Sequence, residues 1–526
     1  MKKVILFVLI VFSYPIFVTA SLNQTLPSWH WAYEYINELS LRGCCETLYS
    51  LNRPYTRGEV AEAIIRSQER LGRGELSLSV SDRRLLERLV EEFQEEMKNL
   101  QEKPNNKGSY EFGIRFQSDL SKEDGGGIKY RGIYRTKLGV SLGTHIAVYN
   151  GINFDQYLVD DSLYVGKKWR GIVGYTEQAY VSVHFNRIRL MFGRDFLYWG
   201  AGENGSLLFS NMTRPMDQLK ATGRLGPFQY TFITSMLDEH NLDTELADSL
   251  GGSTAQRYLS AHRLDVHLFN GRLQCAVTEA IIYGGINRQI DWVFLNPFIF
   301  YHGEQLNKSC SVNTLGTMDI LVYPFNRWEL YGSLLLDDVQ IEKTGPGDLE
   351  PNEVGWLLGS RYGDPVGISG MTLSVEYVRV TNRTYKTPNP WETFIHRNVP
   401  LGHPLGNDFD HWRIGLSQWL MGNLWFKLTY SQTRKGEGSL FTPFDTPWME
   451  YTVEEGYSES FPTGIVEKRN QLDFQVRYYP SVHWGLEAEI HSIRCTNAFH
   501  IKGVSRNETA WQIGVWFDGE IGVSLK

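Results

Sequence analysis

The segment Phe192-Gly193-Arg194-Asp195-Phe196-Leu197-Tyr198-Trp199-Gly200-Ala201-Gly202-Glu203-Asn204-Gly205-Ser206 gathers the side chains of this sequence best suited to chemistry. Arg194 carries a planar fork of donors that can hold a carboxylate bidentately. Tyr198 and Trp199 offer flat apolar faces with polar edges. Asn204 and Ser206 supply short donors and acceptors, and the glycines let the backbone turn sharply beside a ligand. Asp195 and Arg214, the latter just before Pro215, extend the set. This is the chemistry of non-covalent recognition. The same residues also admit an architectural reading, in which Arg194 and Asp195 form an ion pair that pins the loop and the glycines only shape it.

Covalent chemistry finds less support. Asp337-Asp338 and Glu454-Glu455 are adjacent carboxylates, but glycoside hydrolysis needs two carboxyls at a set separation across a sugar. Adjacency in the chain does not supply that geometry, and surface acids are the ordinary explanation. The sequence has no Gly-x-Ser-x-Gly elbow, His-Glu-x-x-His helix or phosphate loop. No metal-ligand spacing is present. Cys44, Cys45, Cys275, Cys310 and Cys495 make an odd count of 5 with no legible disulfide framework. No catalytic residue, metal or cofactor is expected, although a surface hydrolase with dispersed residues stays open. A net charge of −8 gives no support to nucleic-acid binding.

The elements that must position the loop are amphipathic strands. From Lys129 to Leu142, Lys129, Arg131, Arg135, Lys137 and Ser141 alternate with Tyr130, Tyr134, Leu138, Val140 and Leu142. Asn423–Ser431, Gln471–Tyr478 and His483–His491 repeat the period of two, which sends the two sets to opposite faces. Tight turns at Gly143-Thr144, Phe185-Asn186, Gly226-Pro227, Asn270-Gly271, Phe325-Asn326, Gly422-Asn423 and Pro480-Ser481 separate strand pairs. Long connections near 156–176, 195–215, 238–256, 282–314, 338–352, 381–408, 433–469 and 495–508 alternate with them. Short turns at one end and long loops at the other describe an outer-membrane barrel of about eighteen antiparallel strands. The count is least fixed near 350–370 and at Asp518-Gly519, a possible further turn. A soluble sandwich is the alternative. The aromatic fraction of 13% suits membrane girdles or ring-stacking surfaces.

Residues 1–20 read as a secretory signal: Lys2-Lys3, the apolar run Val4–Phe12 and a small-residue cleavage site at Val18-Thr19-Ala20. No later stretch approaches the ~20 apolar residues of a spanning helix. Export combined with amphipathic strands places residues 108–526 in the outer membrane. Residues 21–107 read as a small α-helical periplasmic module. Trp31, Tyr35, Ile36 and Leu39 share a helical face, and Thr56 with Glu59 forms a capping box. A third helix is expected over Ser81–Leu100, followed by a polar linker to Gly108.

Two family resemblances attach to these motifs. Arg53-Pro54-Tyr55-Thr56-Arg57-Gly58-Glu59-Val60-Ala61 resembles a single S-layer-homology repeat, which implies a partner such as peptidoglycan or a secondary cell-wall polymer for residues 27–71. The bland alternative is a helical bundle that packs under the barrel. The Phe192–Ser210 segment, with Arg214-Pro215, resembles the Gly-Arg-Asp…Trp-Gly-Pro-Gly…Gly-Ser-Leu-Leu-Ser…Pro signature of Wzi-type capsule assembly proteins, with Ala201 in place of a proline. Glu279–Gly285 followed by Phe294-Leu295-Asn296-Pro297-Phe298 is also similar to that family. The resemblance implies a non-catalytic, lectin-like outer-membrane barrel that binds or organises capsular polysaccharide or exopolysaccharide. Arg194, Asp195, Tyr198, Trp199, Asn204, Ser206, Arg214 and Glu279 are then the candidate carbohydrate-binding residues. Trp391, Trp412, Phe441, Phe444, Trp448 and Tyr451 in later loops complete a sugar surface or pack on one another. The alternative is a porin tethered to the cell wall by its N-terminal module.

Overall fold

The computed structural model describes residues 21–101, 108–161, 164, 166–210, 213–308, 311–342 and 344–524. The expected signal sequence and most of the expected linker lie outside the described residues. Eighteen antiparallel strands close into one barrel. The first, Gly108–Lys122, pairs with the last, Ser505–Ser524, from Ser109 opposite Ser524 to Lys122 opposite Trp511. The expected alternative of a turn at Asp518-Gly519 is therefore overturned. Asp518 and Gly519 pair with Arg115 and Ile114 inside that ladder. Asp518 points inward, where Arg115 and Lys137 lie 3.4 and 3.8 Å away. A turn there would strip most of the first strand of its partner. Near 350–370 the chain turns through 364–370, between Glu353–Gly363 and Met371–Val380.

Period-two alternation sorts the side chains as their chemistry requires. Outward-facing Phe116, Leu138, Phe192, Val277, Leu358 and Phe474 are all exposed. Such a continuous apolar surface is the lipid-facing belt of a membrane barrel, about 25 Å tall in proteins of this kind. Inward positions are charged and paired. Arg135 meets Glu177 at 3.3 Å, and Arg263 meets Asp265 at 2.8 Å and Asp319 at 2.6 Å. No helix among the described residues is long and apolar enough to cross a membrane. The tight turns fall at or within two residues of their expected positions, and left-handed Asn186, Asn270 and Met421 bend three of them.

Among the described residues, four helices precede the barrel: α1 Ala32–Leu41, α2 Arg57–Gly72, α3 Val80–Glu92 and α4 Gln94–Gln101. The capping box at Thr56 and Glu59 starts α2, with both reciprocal hydrogen bonds present. The single helix expected over Ser81–Leu100 is two helices, α3 and α4, kinked at Phe93. The apolar stripe continues through the kink, burying Leu86, Leu89, Phe93 and Met97. Phe93 packs beneath the Arg57 guanidinium at 4.8 Å. The helices cap the tight-turn end and reach into the lumen. Trp31, Tyr35 and Leu39 share a core with Trp419, Trp425, Tyr479 and Trp516 of the barrel.

Candidate functional site

The lumen is filled from two directions. From the loop end, residues 196–210 fold inward rather than outward. Leu197, Trp199, Leu207, Leu208 and Phe209 form one dry core with inward-facing Leu259, Ile282, Leu315, Leu335 and Leu357, and with Tyr385, Phe394 and Leu401 of the 381–408 loop. From the tight-turn end, the strand Asn52–Arg53 pairs antiparallel with Tyr198–Trp199. Gly200 donates its N–H to the Leu51 carbonyl at 2.9 Å. The two insertions thus meet on a short ladder inside the barrel. Gly202 and Gly205 make the inward fold sterically possible. Both have positive φ (+126° and +129°), and a Cβ on Gly202 would stand 2.1 Å from the Gly205 carbonyl oxygen.

The residues that sequence reasoning grouped are held apart by this fold. Trp199 is fully buried, edge-to-face with Phe209 at 5.3 Å, and offers no free face to a ring. Ser206 is equally buried and donates to the Phe209 carbonyl at 2.7 Å. Asp195 accepts from Gln178 Nε2 at 2.7 Å and Thr25 Oγ1 at 3.2 Å inside the barrel. Arg194, its neighbour on the strand, points the other way. The outward row Ile188, Leu190, Phe192 continues to Arg194, which bonds Asp217 through Nε at 2.9 Å. The expected Arg194–Asp195 pair is therefore not made, because adjacent residues of a strand face opposite sides. Arg214 bonds Asp161 at 2.8 Å. Glu279 also faces outward, in register with exposed Val277, and lies outside the lumen.

Tyr198, Glu203 and Asn204 do border an internal cavity of about 440 Å³ between the plug and the N-terminal helices. Its walls carry Arg53, Arg361, Arg413 and Lys427 among aromatic rings. Glu203, which sequence reading passed over, is the centre of that charge. Lys427 lies 3.2 Å away, Arg361 3.3 Å and Arg413 3.5 Å. Burial pushes its carboxyl upward, but Lys427, Arg413 and Arg361 outweigh that and hold it at about 2. The loop thus supplies its own anion to a basic lumen. The signal in the sequence was the inward row of Arg361, Arg413 and Lys427, which needs an acid opposite.

At the loop end, Arg383 is the hub of the surface. It grips Glu459 at 2.8 and 3.0 Å and Asp445 at 3.1 Å, and lies 4.7 Å over the Trp448 ring. Phe444, Trp448, Tyr451 and Tyr457 pack on one another around it. Phe441 and Tyr451 remain exposed, while Trp412 sits on the outward face against Tyr430.

A family model described as capsule assembly protein Wzi matches residues 92–508 of this sequence. The chain belongs to the Wzi capsule assembly family. Among solved structures, Wzi of Escherichia coli, an outer-membrane protein involved in group 1 capsule assembly and described as a carbohydrate-binding β-barrel, is 14% identical. The alignment covers 94% of this chain and 99% of that one, with a TM-score of 0.59. OpdK of Pseudomonas aeruginosa, an outer-membrane protein, is 10% identical over 78% of this chain and 99% of its own, with a TM-score of 0.45. No curated protein matches the sequence. At these identities the likeness to Escherichia coli Wzi is one of fold, and the Wzi-type motif of this chain forms the inward turn that packs into the lumen.

The S-layer-like segment is likewise spent internally. Arg57 lies 3.1 Å from Glu92 and also pairs with Glu96. Glu59 reaches out of α2 to the barrel, accepting from Arg189 at 2.9 Å and from Arg224. These contacts dock the helices of this Wzi-family protein onto the strands.

Proposed function

We propose that this protein resides in the outer membrane, with its tight turns and helices toward the periplasm, and binds or organises capsular or other exported polysaccharide at its loop end without catalysing a reaction. The observation that carries the reading is the plug. A barrel whose lumen holds a dry core, packed from Trp199 onto the strand residues Leu259, Leu335 and Leu357, is built to present a surface rather than an open channel. Family membership and the description of Escherichia coli Wzi as carbohydrate-binding support the ligand class. The exposed rings of Phe441 and Tyr451, set beside the Arg383 hub, give flat faces for sugars and a frame that holds them. Export by residues 1–20 belongs to the same reading. A cell-wall polymer, as the partner of residues 27–71, would meet the solvent-facing side of α2, where Glu62 and Arg66 are exposed.

The test pairs two measurements. The purified protein should retain polysaccharide exported by its own host, and the Phe441→Ala/Tyr451→Ala double variant should retain much less. In planar bilayers the intact protein should show near-zero conductance. Steady conductance without polysaccharide retention would establish the channel alternative instead.

A further inference from the structure

Residues 286–308 fold down the outside of the barrel. Glu279 is the central residue of the strand Leu273–Gly285 and points away from the lumen. His262, on the adjacent strand, points the same way beside it, with Nε2 at 3.2 Å. A carboxylate and an imidazole at mid-strand on the outward face would meet hydrocarbon, where polar groups are rare unless covered or partnered. Both are covered. The helix Tyr301–Lys308 begins over Glu279, which accepts the Tyr301 and His302 backbone N–H groups at 2.9 Å each and contacts His302 Nδ1 at 2.9 Å. Phe294 and Tyr301 are sealed between this lobe and the outward rings of Tyr258 and Tyr283. Tyr230, also outward, donates to the Pro297 carbonyl and stacks on Phe298 at 5.4 Å.

The lobe turns an apolar back away from the barrel. Trp292, Phe298 and Leu306 are 84%, 81% and 82% exposed, and Phe300 is exposed beside them. We propose that residues 286–308 form a lipid-embedded lobe: at these three strands the protein–lipid boundary leaves the barrel wall and passes over Trp292, Phe298, Phe300 and Leu306, which contact acyl chains of the outer leaflet. Two observations select lipid as the occupant. The lobe is continuous with the exposed belt residues Val277 and Leu264 on the strands it covers. The wall beneath it carries the Glu279–His262 pair at mid-strand among aromatic rings, and the lobe covers that pair with an apolar back of its own. Glu279 is then an anchor that holds the lobe against the wall, rather than a sugar ligand.

Photolysis of the full-length protein in liposomes containing a phospholipid with an acyl-chain diazirine tests this, with adducts mapped by mass spectrometry. Adducts are expected on peptides carrying Trp292, Phe298 and Phe300 at a yield comparable to the peptide carrying Val277. A Trp292→Asp/Phe298→Asp variant that retains its heat-modifiable gel shift should lose the lobe adducts and keep the belt adducts. Labelling of the belt but not the lobe in the wild-type protein overturns the proposal. So does labelling of Trp292 by a water-soluble diazirine in intact liposomes, or cross-linking of the lobe to a second copy of the chain. Wild-type labelling decides the question even where the variant fails to fold.

Discussion

Replacing Trp199 with alanine separates a buried strut from a sugar platform. The ring is fully buried at the meeting point of the two lumen insertions, between Phe209 and the Arg263 guanidinium at 5.9 Å. Truncating a buried tryptophan costs about 3–5 kcal/mol in transferred surface and cavity. The site is hemmed by strands of a closed barrel, so it collapses little, and the upper part of that range applies. Its indole N–H has no hydrogen-bond partner among the described residues, so no bond is lost with it. If the cost falls on the plug alone, the ratio of open to plugged states rises by roughly three to three and a half powers of ten, at about 1.4 kcal/mol per decade. Single-channel recording reads this directly: rare events in the wild type become frequent in Trp199→Ala, while Trp199→Phe stays close to wild type. The reasoning fails if Trp199→Ala stays closed and unfolds like the wild type yet no longer retains polysaccharide. Trp199 would then be a ligand contact reached by a movement of the loop.

Arg194→Ala removes an outward cross-strand pair with a half-exposed Asp217, an interaction worth about 0–1 kcal/mol; polysaccharide retention should be unchanged, and its loss would return Arg194 to the binding surface. Glu59→Gln leaves Arg189 and Arg224 without their shared acid, and limited proteolysis should release residues 21–101 faster while the barrel stays intact. The helices should also respond to acid. Burial raises the Glu92 carboxyl, but His30 and Arg57 outweigh it and hold the group at about 2, below its ordinary 4.5. A depressed carboxylate contributes stability above its unfolded value and loses it as pH falls toward its folded value. Near-ultraviolet circular dichroism of the Trp29–Trp31 region should therefore be flat from pH 7 to about 5 and change between about 4.5 and 2; a signal that stays flat through the lower window refutes the assignment.

The barrel was legible because alternation is a local property. Lys137 and Leu138 declare their faces by parity, and a turn such as Asn270-Gly271 declares itself in two residues. The plug was not, because an apolar run in a loop reads the same whether it faces its own loop or a lumen. Leu207, Leu208 and Phe209 carry no sign of their partners. A sign did exist on the strands. Leu334-Leu335-Leu336 and Leu357-Leu358 are apolar on both faces, and an inward leucine in a barrel requires something dry inside. Parity also held the answer for Glu279, two residues from the outward Val277, and for Arg194, two from the outward Phe192. Reading motif residues together as one site ignored that neighbours in a strand diverge. Glu203 was missed because its three cations come from separate strands far along the chain.

Ring closure between Gly108–Lys122 and Ser505–Ser524 also sets the order of assembly. The partner of the first wall strand is the last wall strand, so until both are in place the growing sheet carries two raw margins of unpaired amides and carbonyls. Every other ladder of the barrel wall joins strands that follow one another around the barrel; among the wall ladders this seam alone joins segments separated by nearly the whole barrel, and such non-local pairings form slowly. A chain cut short by even one strand has no circle to complete. Until the seam shuts, both margins can template pairing with other chains.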